Sequence, residues 1–151
     1  MFKSSTVKAI IFVLGGIIAG YLIFFDLPTF SKRNEVTGSI EHMNREAAQL
    51  NRSLPSLLDK ETELTITEGA DRMLIYKYRL INVAVGRLDH ERFAAESGPK
   101  LRLASCATPG TRDDFLKKGI SLRYSYFDKD KQHVATIDVT PEDCGFDASP
   151  R

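Results

Sequence analysis

The sequence has no tryptophan, three histidines and two cysteines among 151 residues. Each scarcity removes a class of function. His42, His90 and His133 lie far apart, and none stands in a His-x-x-Glu spacing, so no metal centre is expected. No Cys-x-x-Cys pair is present to carry redox chemistry. The first hundred residues contain no cysteine, which removes the attachment point a bacterial lipoprotein uses. No Gly-x-Ser-x-Gly elbow surrounds a serine, and the single Gly-Gly pair, Gly15-Gly16, lies inside an apolar run where it cannot cradle a phosphate. A nucleophile, base and orienting group cannot be assembled, so neither an enzyme nor a cofactor is expected. An excess of one charge is also missing. Lysine and arginine number 21 against 20 acids, and no basic run is interleaved with aromatics, which argues against nucleic acid as a partner.

What the sequence does have is Ala9–Phe25, seventeen residues without a charge. At about 1.5 Å per residue such a helix is about 25 Å long, slightly short of a bilayer core of about 30 Å. Val7 and Leu27 extend it, and Lys8 can snorkel. The run exceeds a signal-peptide core, and Thr29-Phe30-Ser31 is a weak cleavage site, so an uncleaved anchor is expected, with a cleaved signal as the alternative. Lys3 and Lys8 precede the run without an acid, which places the N-terminus inside. The expected organisation is a cytoplasmic tail 1–8, an anchor 9–25, a linker 26–36 and an exported domain 37–147 in the periplasm, held at the inner membrane by a single span. Gly16 and Gly20 form a small-xxx-small pair; either glycine is simply common in a membrane helix, or two copies of the anchor meet there as a homodimer.

All 20 acids and 19 of the 21 basic residues follow the anchor, a formal charge of −1 for the exported part. Cys106 and Cys144 also fall there. An even count in an oxidising compartment argues for one disulfide; two free thiols are the alternative.

Within the domain, Thr37 or Ser39 can cap a helix whose apolar positions are Ile40, Met43, Ala47, Leu50 and Leu54, with Pro55 ending it. Thr62–Leu80 reads as a hairpin with its turn at Glu68–Asp71, and Leu74, Tyr76, Tyr78 and Leu80 share one strand face. Asp89 can cap a second helix that Gly98-Pro99 should kink or divide before Cys106. Thr111–Asp114 resembles a capping box opening a short helix that stops at Gly119. Ile120, Leu122, Tyr124 and Tyr126 alternate along a strand, and Ala135, Ile137 and Val139 along its return. Asp128 and Asp130 begin like a calcium loop, but its glycine and final glutamate are missing, so a solvated turn is expected. The fold class is α+β: four strands in an antiparallel sheet, with helices on one face.

The stretch Leu101–Gly145 resembles the small disulfide-bonded pilotins of bacterial type II secretion. It shares a helix ending in Cys106, a short helix with Phe115-Leu116, a strand opened by Gly119-Ile120, a polar turn at Asp128–Gln132 and a closing Cys144-Gly145. Pilotins help the outer-membrane secretin reach its site. The resemblance therefore implies binding to another envelope protein through a groove that grips a partner's helix. Such a groove is expected along Ile40, Met43, Ala47, Leu50 and Leu54 and along Leu74, Tyr76 and Tyr78. This chain departs from the family in having an anchor where the family has lipidation or sorting to the outer membrane. An alternative is a sensor of small molecules or lipids, with a pocket lined by Tyr76, Tyr78, Tyr124 and Tyr126.

Overall fold

The computed structural model describes residues 36–84 and 89–147. The anchor Ala9–Phe25, with Gly16 and Gly20, lies outside them. Among the described residues, no helix is long and apolar enough to cross a membrane.

The first helix, α1, is Ile40–Leu50. Ser39 caps it, its hydroxyl accepting from the His42 N–H. Met43 and Ala47 are buried beneath it. A single helical turn, Asn51–Ser53, follows, and Pro55 leads into β1, Ser56–Leu57. Next come β2, Thr62–Ala70, and β3, Met73–Leu80. The turn of this hairpin is Asp71-Arg72, later than Glu68–Asp71. Arg72 takes the left-handed conformation (φ 52°) and frees Glu68–Ala70 to stay in the strand.

The helix α2 runs unbroken from His90 to Ala107, capped by Asp89. Gly98-Pro99 does not divide it. The short helix α3, Pro109–Asp114, begins earlier than Thr111, because Pro109 fits a first helical turn whose N–H groups need no partner. A further turn at Leu116–Lys118 stops at Gly119 in the left-handed conformation (φ 71°). The chain ends in β4, Ser121–Phe127, then β5, His133–Val139, and a helical turn at Pro141–Cys144.

The sheet has five strands in the order β1-β2-β3-β4-β5, and it is mixed. Within each hairpin the strands are antiparallel, but β3 and β4 are parallel, with Leu74 opposite Leu122 and Tyr78 opposite Tyr126. This corrects the all-antiparallel expectation. Two hairpins joined by the forty residues 81–120, which carry α2 and α3, need not meet as a third hairpin. Here α2 and α3 form the crossover that a parallel pair requires.

The helices cover one face, α1 packing on β2 and α2 on β5. Met43, Leu74, Leu116, Ile120, Leu122 and Val139 are completely buried between the layers. The disulfide joins Cys106 on α2 to Cys144 in the last turn, with Cα atoms 5.4 Å apart. It ties the end of β5 to the helix above it.

Candidate functional site

Four of the five tyrosines form one stack in the core. The ring centroids of Tyr76 and Tyr124 are 5.4 Å apart, those of Tyr78 and Tyr126 5.1 Å, and Phe93 meets Tyr126 edge-on. The Tyr124 hydroxyl bonds Ser105 Oγ at 2.8 Å, which gives that buried serine its partner. Burial pushes the Tyr126 phenol up to about 12 and raises those of Tyr76, Tyr78 and Tyr124 above the ordinary value. These rings pack on one another: Tyr76 lines one cleft and Tyr78 another, and neither of these clefts gathers all four rings as the sensor reading expected.

The expected partner groove is only partly present. Met43, Ala47, Leu74 and Tyr78 are buried in the core, with Tyr78 stacked on Tyr126. Ile40 and Leu50 stay exposed, at 49% and 38%, while Leu54 and Tyr76 are half-buried. Of the eight, Leu50 and Tyr76 do meet in one place, a cleft of about 300 Å³. One wall is α1, with His42, Glu46 and Leu50. The Tyr76 ring projects from β3, and Asp114, Phe115 and Lys118 come from the end of α3 and the turn after it. Leu116 is buried beside them, whereas Phe115 is half-buried and faces the cleft.

The polar groups of the cleft are partly held. His42 Nδ1 accepts the Gly38 N–H at 3.0 Å, which puts the proton of a neutral ring on Nε2, 3.7 Å from Glu46. Lys118 Nζ lies 3.6 Å from Asp114. An apolar centre between charged edges suits one or two large side chains of a partner, not a whole helix.

The far wall escaped the sequence reading, because Asp114 and Lys118 lie some seventy residues from α1 and no periodicity links them. Arg72 was also missed. Its Nη2 donates to the carbonyls of Lys118 and Gly119 at 3.0 and 2.9 Å, and its backbone N–H bonds the Gly38 carbonyl. One residue at a hairpin tip thus fixes the start of α1 relative to the turn opposite.

Asp128, expected in a solvated turn, is buried, and its Oδ1 accepts the N–H groups of Asp130 and Gln132 at 2.8 and 2.7 Å. Among the described residues, no group of three or more histidines, cysteines and carboxylates could hold a metal.

No family model and no curated protein matches the sequence. Solved structures do match the fold. A Pseudomonas aeruginosa protein described as secreted superposes with a TM-score of 0.58 at 20% identity, over 70% of this chain and 91% of that one. The pilotin EpsS of the Vibrio vulnificus type 2 secretion system gives 0.55 at 16%, over 74% and 93%. The type II pilotin AspS of Vibrio cholerae gives 0.53 at 20%, over 70% and 91%. The domain therefore has the fold of the type II secretion pilotins.

Proposed function

We propose that this chain is a membrane-anchored, periplasmic interaction domain that binds another envelope protein of a secretion assembly. The observation that carries the reading is the cleft between α1, Tyr76 and the α3 turn. It is a notch with an apolar centre on a fold similar to that of two pilotins, and the exposed Leu50 stands in its wall. A partner's apolar side chain seated there would serve as the anchor of a small interface, with Glu46, Asp114 and Lys118 as its polar rim. The run Ala9–Phe25 would hold the domain at the inner membrane by one span, N-terminus inside, so the partner would be met there. Gly16 and Gly20 would be the contact if two anchors pair.

The test is in-cell photocrosslinking of the full chain. A benzophenone side chain at Leu50 should trap one envelope protein, and the same group at exposed Arg92 on α2 should not. Lys118→Glu, at an exposed position on the opposite wall of the cleft, should reduce the product from Leu50 without lowering the level of the protein. Equal products from both positions, or none from Leu50, would reject the cleft as the binding site. A C-terminal alkaline phosphatase fusion should be active if the domain is periplasmic.

A further inference from the structure

The sheet face turned away from the helices carries its own cleft, of about 560 Å³, the size of a small-molecule site. Strand alternation puts Ile66, Lys77, Arg79 and Phe127 on that face. Pro55, Ile66 and Phe127 give it an apolar lining. The register shift in β2 between Leu64 and Ile66 leaves Ile66 42% exposed beside Lys77.

Its polar groups are nearly all donors. Lys77, Arg79 and Lys131 line the cleft against a single carboxylate, Glu63. Glu63 is engaged by Arg79 Nη2 at 2.7 Å, and Lys77 by Glu68 at 2.6 Å. The Thr65 hydroxyl is turned away to donate to the Lys77 carbonyl. Arg79 Nε is buried without a hydrogen-bond partner, and the Lys131 ammonium has no carboxylate partner among the described residues. A buried donor without a partner costs free energy that a ligand acceptor restores.

An added β-strand has little free edge on β2 beside the cleft. Here β1 pairs with Glu63 and Leu64, and the Asn51 side chain both donates to the Thr67 carbonyl and accepts its N–H. With so little edge free, a peptide would lack main-chain recognition. The remaining chemistry is an apolar body and an acceptor-only head.

We propose that this cleft binds a single-chain anionic amphiphile, its acyl chain on Pro55, Ile66 and Phe127 and its carboxylate or phosphate head at Arg79 and Lys131. The site lies on the sheet face opposite the partner cleft and does not depend on it.

The probe is a diazirine-bearing palmitic acid, irradiated with the full chain in nanodiscs of phosphatidylcholine and mapped by peptide mass analysis. Labels should concentrate on the peptides carrying Ile66 and Phe127. The matching diazirine alcohol should label them roughly tenfold less, the scale of one lost charge-assisted hydrogen bond. Lys131→Glu and Ile66→Asn, both at surface positions, should each cut the labelling while the thermal midpoint stays put. Competition by hexadecanoate or by hexadecyl phosphate identifies the head group, and either supports the site. Equal labelling by the alcohol, label spread evenly over 37–147, or indifference to both variants would overturn it. So would displacement by an acidic apolar peptide but by neither amphiphile.

Discussion

Cutting the Cys106–Cys144 link should cost the domain a large part of its stability. The bridge closes a loop with a sequence separation of 38. The chain-entropy relation then gives about 4 kcal/mol, all of it from freeing the unfolded chain. A domain of this size has about 5–15 kcal/mol in total. The folded state should lose little. Both cysteines are only half-buried, so truncation leaves no large cavity. The junction keeps other ties: the Thr140 N–H on Asp143 Oδ2 at 2.8 Å, the Arg102–Asp143 ion pair at 3.3 Å, and the Phe146 N–H on the Pro141 carbonyl. The assay is urea unfolding of the oxidised protein beside Cys106→Ser/Cys144→Ser. Stability should fall by about 4 kcal/mol, and the thermal midpoint by roughly 15–30 °C. The m-value should rise, because an unlinked chain exposes more surface. Amide exchange at Ile137 and Val139 should keep a native pattern. A loss below about 1 kcal/mol, or an unchanged m-value with fraying confined to 140–147, would refute the entropic account.

Other perturbations follow from single contacts. A Cβ on Gly69 would sit on the Met43–Asn44 backbone of α1, closer than real Cβ atoms come, so Gly69→Ala should destabilise by about 1–3 kcal/mol in denaturant titration. Asn51→Ala strips the partners from both backbone groups of Thr67, and its hydroxyl's contact with Asn51 Oδ1 as well. It should cost about 1–3 kcal/mol and expose a strand edge, read as concentration-dependent association in light scattering. Alkali should unfold the domain. The stacked tyrosines keep their protons up to about 12 for Tyr126, above their ordinary value of 10.0, so the folded state binds more protons than the unfolded one. The stability they contribute is whole below pH 10 and is lost as pH rises through 12. Phenolate absorbance should therefore appear together with the loss of circular dichroism, not before it.

What could be read in advance was whatever repeats at short range. The alternations Leu74–Leu80 and Ile120–Tyr126 placed the core face of β3 and β4 because a strand's period is two. Thr37 or Ser39, of which Ser39 proves to be the cap, and Asp89 announced the helix starts because a short polar side chain at that point accepts an N–H. The parallel pairing of β3 with β4 was hidden, since either sense would bury the same tyrosines. The strand β1 was hidden too, because two residues carry no period. The division expected at Pro99 does not occur, for a physical reason. A proline removes one helix hydrogen bond, but α2 is held at both ends, by the Asp89 cap and by the Cys106 bridge.

The partner cleft owes its existence to a mismatch that the apolar stripe of α1 contained from the start. Ile40, Met43, Ala47, Leu50 and Leu54 share one helical face, which would suit a helix lying over the middle of a sheet. But α1 crosses β2, next to the sheet's edge, and Gly69 lets it come so close that Met43 and Ala47 alone fill the contact. The turn Asn51–Ser53, tied to Thr67 through the Asn51 side chain, then tightens the helix after Leu50, and Leu54 turns extended ahead of Pro55. The two ends of the stripe are therefore left uncovered. At Leu50 that surplus faces Tyr76 across the gap, and the α3 turn, fixed by Arg72, closes the far side. On this account the cleft depends on where α1 ends. Asn51→Leu, which removes the tie to Thr67 and lets the tight turn 51–53 relax into regular helix as far as Leu54, should reduce crosslinking from Leu50 under conditions where circular dichroism shows the domain folded, even though no residue lining the cleft has changed. If crosslinking persists at full strength with α1 extended, the helix end does not shape the site.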